Sequence, residues 1–233
     1  MDKKVTAAQI DELYAFTRAH FVEYYDLQTE LVDHLANAIE GIWQQRPNLT
    51  FKEALDIEFK KFGIFGFSDV VEQRQKALGK KYYRLMWGYF KQFFKLPHLI
   101  LTLGITFLTY KLIAFEPTFF IYLQMCLIIT IVYKTIHYKG SYGKKVKDTG
   151  TKWLFEEIIY NCGGILGFIG IPLQFFQFTF KEVNFFTVST LTVFLVLTAL
   201  LSYVMLFIIP AKAEEHLKAA YPEYNLEVSG QKL

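Results

Sequence analysis

Polar and apolar positions divide the chain into two halves. Up to residue 95 they alternate with the period of a helix, and beyond it apolar residues run almost unbroken. In the first half, Thr6-x-x-Gln9 and Thr50-x-x-Glu53 read as helix starts, because the threonine oxygen and the N3 side chain satisfy backbone N–H groups that the first turn leaves free. Asp26 and Ser68 mark two further starts, and Arg46-Pro47-Asn48 and Phe62-Gly63-Ile64-Phe65-Gly66 supply the breaks. No alternating strand pattern interrupts them. The expectation is a small helical domain over residues 1–78.

After residue 95 come four apolar segments: Leu96 to Phe115, Pro117 to Tyr133, Ile158 to Phe180 and Val183 to Ile209. Each approaches or exceeds the roughly 17 to 25 residues that a helix needs to cross a bilayer. Glu116-Pro117 and Lys181-Glu182 are turn-sized breaks, so the segments pair into two helical hairpins. The fold class expected is all-α: a small cytoplasmic helical domain (1–78), an interfacial helix (79–95), a four-helix transmembrane bundle (96–209) and a cytoplasmic tail (210–233). Charge sets the orientation. Arg74, Lys76, Lys80, Lys81, Arg84, Lys91 and Lys95 precede the first span, and Lys134, Lys139, Lys144, Lys145, Lys147 and Lys152 fill the second connection. The other two connections carry only Lys111 and Lys181, so both termini are expected in the cytoplasm of a bacterial inner-membrane protein.

Composition agrees, with 53% hydrophobic and 18% aromatic residues. The two cysteines, Cys126 and Cys162, lie in apolar runs and offer neither a disulfide framework nor a CxxC metal site. The polar start, Met1 to Lys4, does not read as a signal peptide.

The stretch "ELVDHLANAIE", residues 30–40, holds the residues that most resemble chemistry. On a helical wheel Leu27, Leu31, Leu35, Ala38, Ile39 and Ile42 form one stripe. Asp26, Glu30, Asp33 and Asn37 lie on another face, with His34 at the border. Glu30 and His34 are i,i+4 neighbours able to pair or to share a metal, but no third ligand follows at helical spacing. Glu30, Asp33 and His34 are therefore read as a structural or partner-facing motif, with His34 making a hydrogen bond at the core edge. Among the spans, Gly163-x-x-x-Gly167 is the spacing at which helix backbones approach closely, so Gly163 and Gly167 are candidate packing positions. Gln124 is expected to hydrogen-bond between helices, Lys111 to reach the outer headgroups, and Glu156 and Glu157 to pair with nearby lysines such as Lys152.

"KKYYRLMWGYFKQFFK", residues 80–95, sets Lys80, Lys81, Arg84, Lys91 and Lys95 on one side of a helix and Tyr82, Tyr83, Met86, Trp87, Phe90, Phe93 and Phe94 on the other. That is the pattern of a helix lying against anionic lipid, and Lys80, Lys81, Arg84, Trp87, Lys91 and Lys95 are the candidate lipid contacts. Nucleic-acid binding is not expected.

"ELVDHL" (30–35), "IE" (39–40), "LTFKEAL" (49–55) and "FKKFG" (59–63) together resemble the helical domain of HAAS-type signalling proteins and the permease prefix domain of bacterial ABC permeases, and are similar to flavobacterial membrane proteins. The resemblance covers residues 10–75 and brings no catalytic residues. It implies a non-enzymatic membrane protein whose cytoplasmic domain binds a protein partner in a signalling, regulatory or anchoring role, as a homo-oligomer or within a membrane complex, without a cofactor. A subunit of a transport complex is the alternative. An intramembrane enzyme is disfavoured, since no His-x-x-x-His or Gly-x-Ser-x-Gly appears in the spans.

Overall fold

The computed structural model describes residues 3–164, 184–221 and 224. Among them all regular structure is helical and no strand forms. The chain divides into two compact units: Met1–Leu78 together with Thr149–Leu154, and Gly79–Asp148 together with Phe155–Leu233.

The N-terminal unit is built from α1 (Ala7–Ala19), α2 (Tyr25–Gln45), α3 (Phe51–Phe59) and the start of α4 (Ser68–Phe90). Thr6 and Thr50 open α1 and α3 through complete capping boxes with Gln9 and Glu53. These match the sequence signatures. The α2 stripe forms the core, with Leu27, Leu31, Leu35 and Ile39 buried while Ala38 and Ile42 are half-buried. Val32 and Trp43 complete it. Buried polar atoms on this side are satisfied locally: the Gln28 amide donates to the Val22 carbonyl (2.7 Å) and the Trp43 indole N–H to that of Leu49 (3.0 Å). Phe16, His20, Phe59, Phe62 and Phe67 close one end as an edge-packed aromatic cluster, with ring centroids 4.4 Å apart for His20 and Phe59 and 4.9 Å for Phe62 and Phe67. Asp26 does not precede α2 as a cap but lies inside its first turn.

Three helices of the second unit are long and apolar enough to cross a membrane: α5 (His98–Phe115), α6 (Thr118–Thr149) and α8 (Phe185–Ala211). Ile113, Phe120, Val188, Leu191 and Leu195 pack into one core, so α5 ends where α6 and α8 begin. At the opposite end Phe93 meets Tyr203 (6.2 Å between rings), and the Tyr138 hydroxyl donates to the Leu206 carbonyl (2.8 Å). Hence α6 and α8 run parallel to each other and antiparallel to α5. The α5–α6 hairpin turns at Glu116-Pro117 as expected. However, α6 does not stop at Tyr133, because Lys134 to Thr149 continue the helix for about 24 Å. Its lysine-rich composition suggests a connection but does not end a helix. Nothing in it breaks a helix until Gly150, at φ +72°.

The third apolar segment begins differently from the expectation. A short helix, α7 (Leu154–Tyr160), starts ahead of Ile158, and Cys162, Gly163 and Gly164 then take positive φ of 50°, 58° and 78°. Gly163 therefore lies outside a regular α-helix here. Its close neighbour is the Tyr82 ring, into which a Cβ at this site would run, while the Tyr83 hydroxyl donates to the Gly163 carbonyl (2.9 Å). Gly167 and the remainder of that segment, 165–183, lie outside the described residues. The end of α8 holds a π-helical turn, Val204–Ile208, just before Pro210. Proline has no N–H to give the carbonyl four residues back, Leu206, and Tyr138 supplies a donor instead. Beyond α8, α9 (Ala213–Lys218) buries Ala213 and Leu217, and Tyr221 and Tyr224 are buried as well.

Gly163 and Gly150 make a matched test. Both have positive φ, but only Gly163 faces a neighbour. Alanine at either position should cost about 1–2 kcal/mol from left-handed strain. At Gly163 the clash with Tyr82 should add about 1–3 kcal/mol. Thermal denaturation in detergent should rank wild type above Gly150→Ala and that above Gly163→Ala.

Candidate functional site

Two arrangements stand out: a chain segment folded into the N-terminal unit, and a buried charge cluster in the second unit. The segment is Thr149–Leu154, which joins α6 to α7 in sequence. The Tyr25 N–H donates to the Lys152 carbonyl (2.8 Å), and the Lys152 ammonium meets the Glu23 carboxylate (2.8 Å) while lying over the Tyr24 ring (5.0 Å). Trp153, 1% exposed, packs edge-on to Tyr25 at 5.4 Å, and Tyr25 stacks in turn on Tyr14. The Leu154 N–H donates to the Asp26 carboxylate (3.3 Å). Leu154 is the first residue of α7, so Asp26 serves the start of a helix more than a hundred residues away. Beside this clamp lies an open cavity of about 500 Å³ lined by Arg18, Val22, Glu23, Tyr25, Gln28 and Gly150 to Lys152.

The motif residues of the sequence lie further along α2. Glu30 pairs with Arg74 (3.6 Å) and not with His34, while Asp33 is exposed. His34 is more exposed than a core-edge residue would be, at 58% of its side chain, and its Nε2 lies 3.5 Å from Glu58 Oε1, with its ring edge-on to Phe62. Glu58 is the buried member, 4% exposed, and it also receives Lys61 at 2.6 Å. Sequence reading passed over Glu58, yet a signal was present. It sits in register with Phe51, Ala54 and Leu55 on the apolar stripe of α3, where a carboxylate must be paired to be tolerated. Among the described residues no three His, Cys, Asp or Glu side chains gather closely enough to hold a metal ion.

In the second unit Glu156, 2% exposed, binds the Lys145 ammonium at 2.7 Å, and the Tyr224 hydroxyl bridges both, 2.8 Å from Lys145 and 3.0 Å from Glu156. The partner of Glu156 is thus Lys145 and not Lys152, which is engaged with Glu23. Tyr142 stacks on Tyr160 beside this cluster (5.7 Å, 18° between planes). Close to it in sequence, His216 of α9 accepts or donates at 3.2 Å to the Tyr89 hydroxyl of α4, and burial lowers its pKa below the ordinary histidine value. Burial also pushes the Tyr82 phenol far above its usual range; its oxygen has no hydrogen-bond partner among the described residues.

The basic and aromatic residues of α4 do not take opposite faces. Tyr82 and Phe90 are buried, Tyr89 meets His216, and Lys81 turns over the Phe155 ring (5.0 Å). Lys80, Tyr83, Arg84, Trp87 and Lys91 are exposed on the remaining side. Gln124, expected to bridge helices, is fully buried in α6 with neither amide atom hydrogen-bonded among the described residues, and the Lys111 ammonium lies over the Phe107 ring (5.6 Å). Side chains of a helix lean toward its N-terminus, which brings Phe107 within reach of Lys111.

No family model, curated protein or solved structure matches the chain. The resemblance to HAAS-type and permease-prefix domains accordingly rests on its motif residues alone.

Removing the ammonium from a buried pair leaves a charge in low dielectric, so Lys145→Met should cost about 3–5 kcal/mol. Combining it with Glu156→Gln should restore part of that loss, and Tyr224→Phe should cost about 1 kcal/mol. Denaturation of the full chain in detergent measures all three. For His216 the folded pKa lies below the unfolded one. Stability should then be greatest above about pH 6.5 and fall as pH drops below it, because the unfolded chain takes up the proton first. His216→Gln should flatten this acid limb of a stability–pH curve.

Proposed function

We propose that this is a non-enzymatic, multi-pass protein of a bacterial inner membrane whose cytoplasmic helical domain docks a protein partner and transmits that docking to the segment between its second and third spans. The observation that carries the reading is the clamp on Thr149–Leu154: this connection is part of the N-terminal unit, held by Tyr25, Glu23, Asp26 and buried Trp153. Leu154, the first residue of α7, thus belongs to the same unit as the α1–α2 turn. Partner binding at the domain is supported by three large apolar side chains on loops, Phe21 (87% exposed, φ +65°), Ile64 (98%) and Phe65 (72%), both loops bordering the His20–Phe59–Phe67 cluster. Monomeric soluble surfaces seldom leave such residues grouped without a partner.

Four spans with both termini in the cytoplasm fit the helix directions. Because α6 and α8 are parallel, an odd number of crossings separates them, and the apolar run 158–180 is the stretch of sequence suited to that crossing. The lysines of Lys134 to Lys152 then face the cytoplasm along with the N-terminal domain. A transport-complex subunit is the second reading, favoured by the burial within α6 of the Gln124 amide, which has no hydrogen-bond partner among the described residues. A solute flux lost in Gln124→Leu would support it.

Crosslinking in native membranes followed by mass spectrometry should return a protein joined to residues 1–78. Phe21→Asp with Phe65→Asp should abolish that product, and Trp153→Ala should leave it intact while exposing Thr149–Leu154 to proteolysis. A product unaffected by the loop changes would defeat the docking claim. For topology, in a chain with Cys126 and Cys162 replaced, single cysteines at Asp2 and Ser229 should resist an impermeant thiol reagent in intact cells, whereas Thr118→Cys should be labelled.

A further inference from the structure

We infer that the exposed stripe at the end of α4 and the turn after it, Arg84, Trp87, Lys91, Phe94 and Lys95, is a binding site for the phosphate headgroups of anionic phospholipids. Four observations carry it. First, the chain has no acidic residue between Glu72 and Glu116, so the cations in this stretch meet no carboxylate from their own segment. Arg84 and Lys95 make no ion pair among the described residues, and Lys91 lies over the Trp87 ring at 5.6 Å. Second, the inward side of the helix is already occupied by Tyr82, Tyr89 and Phe90. The outward side is not a surplus of an unfolded face but the one surface α4 presents.

Third, the exposed aromatics, Trp87 at 50% and Phe94 at 44%, stand among the cations and not opposite them. An aromatic face opposite a basic one suits a helix lying flat with its rings immersed. Rings and cations on one stripe suit the headgroup layer itself, where indole and ammonium groups sit at the same depth. Fourth, the stripe leads directly into α5 at His98, a helix long and apolar enough to cross a membrane. Lys91–Phe94 is a 3-10 turn, so Lys91 to Lys95 is about 8 Å of rise, and Trp87 is about 6 Å further along α4, distances matched to the headgroup zone and to the reach of the longer side chains. Lys80, about 25 Å along the chain axis from Lys95, and Lys81, engaged with Phe155, are outside this site.

The test uses the full chain, purified in mild detergent and mixed with equal amounts of phosphatidylglycerol and phosphatidylcholine, with retained lipid counted by native mass spectrometry. Wild type should retain phosphatidylglycerol preferentially. The variant Arg84→Gln with Lys91→Gln and Lys95→Gln should lose that preference by about tenfold or more, since each basic group near an anionic surface contributes about a fivefold factor. A control with the same charge change in the other unit, Lys4→Gln with Lys52→Gln and Lys76→Gln, should keep it. Inorganic phosphate should not displace the lipid, which separates a headgroup in its membrane setting from a free-anion site. Equal retention of the two lipids by wild type, equal loss in test and control variants, displacement by phosphate, or an oligonucleotide that holds to this stripe against excess phosphatidylglycerol would each overturn the assignment.

Discussion

The hydrogen bond from Tyr25 N–H to the Lys152 carbonyl, with Trp153 buried behind it, is the contact on which the organisation of the chain turns. Without it, Thr149–Leu154 would be an ordinary surface connection after a long helix. With it, six residues from the middle of the sequence complete the core of a domain whose other residues end at Leu78. A surface ion pair such as Lys152–Glu23 adds little by itself. The buried indole and the backbone bond are what resist opening, and Asp26 adds direction by accepting the first N–H of α7. A helix whose start is held by another element inherits the position of that element.

Much of this could be read in advance where local chemistry decides the outcome. Capping boxes at Thr6 and Thr50, the stripe of α2 and the hairpin at Glu116-Pro117 depend on residues within a few positions of each other, and they appear in the structure as the sequence signals them. What was not legible depends on distant partners. Nothing near Trp153 says that Tyr25 lies beside it, and nothing near Glu156 prefers Lys145 to Lys152. The length of α6 departs from expectation for a different reason. Lysines mark a segment as lying outside the hydrocarbon, but they are good helix formers, so leaving the membrane and ending the helix are separate events. His34 was placed at the core edge because its wheel position is intermediate, and Glu58 shows which side of that border is dry.

The second unit shows how one residue without an N–H propagates through a bundle. Pro210 requires the preceding turn to widen, the widened turn presents the Leu206 carbonyl, and Tyr138 on α6 answers it. Within hydrocarbon or at its edge an unanswered carbonyl is costly, so this bond fixes the relative height of two parallel helices more firmly than side-chain packing alone.

Lys145, Glu156 and Tyr224 show the opposite economy. Burying an ion pair gains little net stability over an apolar equivalent, since desolvation consumes most of the attraction. Its effect is on choice: an apolar cluster accepts many registers, whereas a carboxylate that is 2% exposed accepts only those that bring an ammonium and a hydroxyl to it. The three groups come from the end of α6, the start of α7 and the tail, so the cluster fixes the register of segments that are far apart in sequence. A helix of seven residues, Leu154–Tyr160, is too short to be stable by its own propensity and takes its register from its side-chain contacts. Glu156 consequently sets the register of α7 as a whole, because a helix this short has no room to absorb a slip internally.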